Sequence, residues 1–170
     1  MSETKKQSFN DAVKKLFKRY FIDAMGAMAL GLFATLLMGT ILDTIGKYIP
    51  ISWLSAGLCE AASFAKGASG MAIGVAIAYS LKSDPLVLFS CAVVGSASYS
   101  MGTTIALSSG AEIAYTAGPA GVFFAAIIAA ELGRLVSKKT KIDILVTPAV
   151  TILSGYIVAK LICPAIAYLM

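Results

Sequence analysis

Histidine is absent from the 170 residues, and charged side chains make up only 14% of them. Without histidine the chain has no imidazole base, no phosphohistidine and no histidine metal ligand. The three cysteines, Cys59, Cys91 and Cys163, form no C-x-x-C pair. Zinc and redox-motif readings therefore fail, and no cofactor or metal is expected. The scarce charge is also unevenly placed: nine of the 23 charged residues lie in positions 1–23, which leaves 14 for the other 147. A soluble domain carries about 25% charged residues. Acidic residues are fewest, and none pair up as an acid–base dyad, so proton pumping and metal transport, which place carboxylates deep in a bundle, have no support.

What fills the chain instead is apolar: 58% of residues are hydrophobic and the mean hydropathy is +0.84. Charge-free runs cover Ala24–Leu42, Gly67–Leu81, Pro85–Ala111, Ile113–Ala130 and Ile144–Ala159. That much apolar surface cannot be hidden in a water-soluble globule of this size. The fold class expected is an all-α membrane protein, a bundle of about five transmembrane helices preceded by an amphipathic interfacial helix. A helix needs about 20 residues to cross some 30 Å of hydrocarbon. Segments of about 24–46, 67–82, 85–106, 117–136 and 144–169 meet or approach that length and form a membrane domain over 24–170. Residues 49–66 are apolar but short and carry Glu60 and Lys66; they read as an external or re-entrant segment with Trp53 as an interfacial anchor.

Residues 1–23 read as a cytoplasmic basic tail and not as a cleaved leader, because the first apolar run is too long and follows a long charged segment. Within it, residues 8–20 place Phe9, Val13, Leu16, Phe17 and Tyr20 on one helical face, largely opposite Lys14, Lys15, Lys18 and Arg19, as an interfacial helix does. The excess of 14 basic over 9 acidic residues follows membrane orientation and gives no case for nucleic acid. With the tail inside, Lys5, Lys6, Lys14, Lys15, Lys18, Arg19, Lys82, Arg134, Lys138, Lys139 and Lys141 share the inner side. Lys47 and Lys66 alone fall outside, and Lys160 lies within the last span. Eleven against two fits five spans with a cytoplasmic N-terminus.

Charges near the segment ends read as local pairs: Asp43 with Lys47 at i,i+4 and Glu131 with Arg134 at i,i+3. Asp84-Pro85 reads as a helix start, Asp at the N-cap and Pro at N1. Gly70 and Gly74, extended by Ala78, form a G-x-x-x-G stripe for close helix packing, and Ala27 to Gly31 is a looser version. Uncharged hydrogen-bonding groups suit a neutral, hydroxyl-rich solute. The candidates are Ser96, Ser98, Tyr99, Thr103 and Thr104 in the third segment, with Thr147, Thr151 and Ser154 on the last. Breaks at Gly118-Pro119 and Thr147-Pro148 are the kind tolerated where a helix lines a cavity or is buried in protein. The alternative for each hydroxyl is a bond to its own helix carbonyl.

The stretches RYFIDAMGAMALGLFATLLMGTIL (19–42), AIGVAIAYSLKSDPLVLFSCAVVGSAS (72–98) and AGPAGVFFAAIIAAELGRLVSKKTKIDILVTPAVTILSG (117–155) resemble the enzyme IIC-type membrane family of the bacterial phosphotransferase system. The resemblance is to the branch that includes toxin-regulator-like proteins, and to its N-terminal half. It implies a sugar permease component of the bacterial inner membrane, itself not an enzyme. Cytoplasmic IIA and IIB partners would carry the phosphoryl group on His or Cys. No catalytic residue carries over, because the His–Glu pair of other sugar IIC proteins has no counterpart here. An odd span count means that a related second half would insert upside down, so the resemblance also implies a complementary half or a parallel oligomer. The alternative function is a membrane-embedded regulator or scaffold without transport, and a further one is a secondary transporter for a neutral solute.

Overall fold

The computed structural model describes residues 11, 13–106, 112–139 and 142–169. The first helix, α1, runs without interruption over Val13–Tyr48. The expected interfacial helix is therefore the first turns of α1; Val13, Leu16 and Phe17 are exposed and Tyr20 packs toward the core. Phe9, Lys5, Lys6 and Lys141 lie outside the described residues.

Two π-turns, Lys18–Asp23 and Phe33–Leu37, interrupt the α-helical geometry of α1. Their effect can be read from the buried small residues. Ala24, Ala27 and Gly31 face inward before the second π-turn, and Gly39 and Gly46 after it. Within each set the seven-residue spacing of a helix face holds, from 24 to 31 and from 39 to 46. Between the sets the spacing is eight. The wider i→i+5 turn absorbs the extra residue and keeps one face of small residues against the neighbouring helices.

Pro50 ends α1, since the residue before a proline is forced out of helical geometry; Ile49 is extended at φ −80°, ψ 125°. The chain returns as α2 (Ser52–Gly67) and α3 (Ser69–Ser80), bent by 49° at their junction. Together they run antiparallel to α1: Gly46 lies against Cys59, Gly39 against Ala62, and Gly31 against Ala72 and Ile73. Next, α4 (Pro85–Ser100) carries Pro at N1, where its missing N–H costs nothing.

The all-α membrane bundle expected from the sequence is what the structure shows, with three to four elements long enough to cross a membrane against the five expected, and with one element beyond it. The third apolar segment stops being helical at Ser100, and Gly102–Ala106 forms strand β1, antiparallel to β2 (Glu112–Thr116) with Gly102 opposite Thr116. Gly102 breaks the helix, and the β-branched Thr103, Thr104 and Ile105 favour a strand. Gly118 at φ +50° turns the chain into α5 (Gly118–Val136), and α6 (Asp143–Leu169) follows.

Five passes thus alternate in direction: α1, the bent pair α2–α3, α4, α5 and α6. Helices α1, α5 and α6 are long and apolar enough to cross a membrane singly, the bent pair has the length and apolarity of a broken span or a re-entrant loop, and α4 is apolar but shorter. At the centre is α5, with two buried ridges, Gly121-Ala125-Ala129-Gly133 and Val122-Ala126-Ala130. On α6 the buried residues are Thr147, Thr151, Gly155, Ala159, Cys163 and Ala167, a ridge of i+4 steps suited to packing into the groove of a neighbour. Between α3 and α4 the approach is closest: a Cβ at Gly74 would strike the Cys91 carbonyl, and one at Gly95 would strike the Gly70 carbonyl. The G-x-x-x-G stripe is therefore a backbone-to-backbone contact.

Candidate functional site

The hydroxyls expected to bind a solute divide three ways. Ser98, Thr147 and Thr151 are buried between α4, α5 and α6. Ser98 donates to the carbonyl of Val94, Thr151 to that of Thr147 at 2.7 Å, and Thr147 to the Asp143 carboxylate. Ser154, half-buried, donates to the Thr151 carbonyl at 3.1 Å. Ser96 is exposed and Tyr99 is half-buried against the core. Thr103 and Thr104 lie on β1, and their side chains are outside the described residues. The fold does bring Ser98 close to α6, where the Cys163 thiol sits 3.6 Å from its carbonyl oxygen. A Cβ at Gly133 would likewise meet the Thr151 hydroxyl. These groups share one seam, but the hydrogen bonds of Ser98, Thr147, Thr151 and Ser154 close within their own helices, as back-bonding hydroxyls do.

The polar constellation that the tertiary structure assembles is at the opposite end of α4 from the hairpin. There the described basic residues of the expected inner side converge. Arg19 of α1 reaches Glu131 of α5 at 2.9 Å and the Leu81 carbonyl, past the end of α3, at 3.1 Å. Arg134 lies 3.7 Å from the same carboxylate and 3.4 Å from the same carbonyl. The expected Glu131–Arg134 pair is thus the weaker half of a bridge that ties three helices together. Arg19 was legible only as one cation of the tail, because its partner is 112 positions away.

Beside it, Asp84 occupies the N-cap position of α4 with extended backbone, but its carboxylate makes no cap bond. It instead accepts from the Lys138 ammonium and, at 2.8 Å, from the Ser137 hydroxyl. The Lys138 bond first, and the Ser137 bond second, hold the Asp84 carboxyl below the usual range. The same pairing raises the Lys138 ammonium. At the far end of α1, Asp43 bonds Lys47 at 3.0 Å, as expected, and also Lys66 of α2 at 2.8 Å. Lys160 lies over the Tyr156 ring, 6.0 Å from its centroid.

Two cavities open away from the hydroxyl seam. One, of about 610 Å³, is an apolar groove on the outer face between α1 and α3, lined by Leu30, Met71, Val75 and Tyr79. The other, of about 840 Å³, lies at the basic end and is lined by Lys15, Lys18, Arg19, Asp23, Lys82 and Arg134.

The family described as Phosphotransferase system, EIIC has a sequence model that matches residues 22–170. No curated protein and no solved structure matches the chain. The match covers the bundle from Ile22 of α1 through α6, leaving out the first turns of α1, and many large apolar residues are exposed on the helices, as in a protein solvated by lipid. The chain is a multi-pass membrane protein and belongs to the phosphotransferase system EIIC family.

Proposed function

We propose that this protein is the membrane permease component of a sugar phosphotransferase system, binding and translocating a sugar that partner proteins phosphorylate. The family match over residues 22–170 carries this reading. In it the five antiparallel passes are five spans, with the hairpin completing the short third one. The basic end is cytoplasmic, since eight of the inner-side cations, from Lys14 to Lys139, gather there while Lys47 and Lys66 sit at the other end. Cytoplasmic IIA and IIB proteins meet that face and transfer the phosphoryl group; this chain supplies the path. Sugar passes along the seam of α4, α5 and α6, where Ser98, Thr147, Thr151 and Ser154 exchange their helix partners for sugar hydroxyls as the seam opens; Ser96, Tyr99, Thr103 and Thr104 are the further sugar-binding candidates. A complementary half or a parallel second copy completes the site. The membrane is the bacterial inner membrane.

A second reading is favoured by one observation: Ser98, Thr147 and Thr151 are closed within their helices. It makes the protein a membrane-embedded regulator or scaffold without transport. Reconstitution in liposomes with a candidate complementary half and a IIB partner separates the two. Sugar binding and sugar phosphate formation support the permease; failure of both across a broad sugar panel leaves the regulator.

A further inference from the structure

We propose that the cavity at the basic end is a binding site for a phosphate group, and that Lys82 is its determining residue. Three separate parts of the chain build it: Lys15, Lys18 and Arg19 from α1, Lys82 from the α3–α4 turn, and Arg134 from α5. Asp23 is the one acidic lining residue. Arg19 and Arg134 are anchored on Glu131 and the Leu81 carbonyl, which fixes their positions and leaves guanidinium N–H groups over. Among the described residues, no carboxylate lies within ion-pair distance of Lys15, Lys18 or Lys82. A cluster with this excess of positive charge, anchored guanidinium groups beside lysine ammonium groups, matches an anion with several acceptor oxygens.

The backbone at Lys82 supplies an independent observation. Helix α3 ends in a Schellman arrangement, with the Ser83 N–H bonded to the Ala78 carbonyl at 3.1 Å and the Lys82 N–H to the Tyr79 carbonyl at 2.9 Å. That motif places its C′ residue in the left-handed region, where glycine is the usual occupant. Here the residue is Lys82, at φ 55°. Lys138, at φ 63° past the end of α5, is the parallel case, and its ammonium has a partner in Asp84. Lys82 holds the same disfavoured backbone with no such partner, and its side chain lines the cavity. The local backbone at 82 favours glycine, so what the lysine adds there is its charge toward the cavity. The shape and charge of the cavity carry this assignment without the sugar reading.

Two sources offer the chemistry: a soluble phosphate ester such as a hexose phosphate, and the headgroup of an anionic phospholipid. The whole chain, purified in a neutral detergent, is titrated calorimetrically with inorganic phosphate and glucose 6-phosphate. In parallel it is incubated with phosphatidylglycerol or phosphatidylcholine and analysed by native mass spectrometry for retained lipid. Lys82→Gly is expected to melt at the wild-type temperature or above it, while weakening phosphate-group binding about tenfold, the loss of one charge-assisted contact. Lys18→Gln should weaken it as well, and Lys82→Arg should keep most of it. Binding of the soluble esters assigns the site to a soluble ligand. Retention of phosphatidylglycerol over phosphatidylcholine, without ester binding, assigns it to lipid. A folded wild type that binds neither, or a Lys82→Gly variant that binds as the wild type does, overturns the proposal.

Discussion

Helices α1 and α5 are both apolar enough to cross a membrane, yet 44% of the apolar stretch of α5 is buried inside the protein against 11% of that of α1. Hydropathy does not separate them; side-chain size does. The inward face of α5 is glycine, alanine and one valine in two adjacent ridges, with Phe123 the one large buried side chain near its start. Along α1, Leu30, Phe33, Leu37 and Ile41 are exposed; its fully inward positions are sparse Ala and Gly residues, with Tyr20, Met28 and Leu32 partly buried beside them. In lipid there is no hydrophobic reason to bury leucine, because the tails solvate it as well as protein does. Packing there is won by close approach and dispersion, so the central helix is the one whose side chains are smallest. The same rule governs the α3–α4 crossing, where three glycines let two backbones touch.

The sharpest way to break this contrast is Gly74→Leu. Its new side chain would run into the Cys91 backbone, which cannot rotate away, so a loss of about 3 kcal/mol or more is expected. Thermal unfolding in detergent measures it, and a loss below about 1 kcal/mol would mean that α3 and α4 are not in backbone contact. Next in size is Ile77→Ala, a fully buried side chain on α3, at about 2–4 kcal/mol. Phe33→Ala on α1, with 59% of the residue exposed, should cost less than about 1 kcal/mol by the same measurement. Equal losses at the two positions would erase the distinction between core and lipid-facing helices.

Smaller effects test how α1 is fastened to the core. Glu131→Gln removes the carboxylate that Arg19 and Arg134 share, and about 1 kcal/mol is expected from a part-exposed bridge. Double-mutant cycles with Arg19→Gln should show the two residues to be coupled. Smallest is Asp84→Asn. Because the folded-state pKa of Asp84 is lowered, its contribution to stability is fully present above the unfolded carboxylate value of about 4. It is lost as pH falls through the lower folded value. The wild type should therefore lose more stability than Asp84→Asn on going from pH 5 to pH 3, in matched melting curves; parallel curves would remove Asp84 from the account.

Several features were legible before any coordinates. The Gly118-Pro119 break falls at the start of α5, the Asp43–Lys47 pair is local, and the glycine stripe at 70 and 74 marks a close helix contact. The break expected at Thr147-Pro148 is absent, since α6 runs through Pro148 unbroken. The hairpin was less legible, because Gly102 to Ile105 is apolar enough to read as more of the same span. Residues 49–66 read as an external or re-entrant segment, and the fold makes Ser52–Gly67 a helix that returns along α1 and bends by 49° into α3. The lattice around Leu81 escaped because a backbone carbonyl has no sequence signature, and two arginines from distant helices meet on it.

The composition alone dictated the solvent, the helical class and the gathering of positive charge at one end, since hydropathy and charge add up locally along a chain. Only the tertiary structure decided which helix is central, that Arg19 closes on Glu131, that the seam hydroxyls bond inward, and that five cations frame one cavity. Those outcomes depend on the relative rotation and depth of whole helices. Such rotations are set by many weak contacts at once and leave no mark on any single stretch of residues.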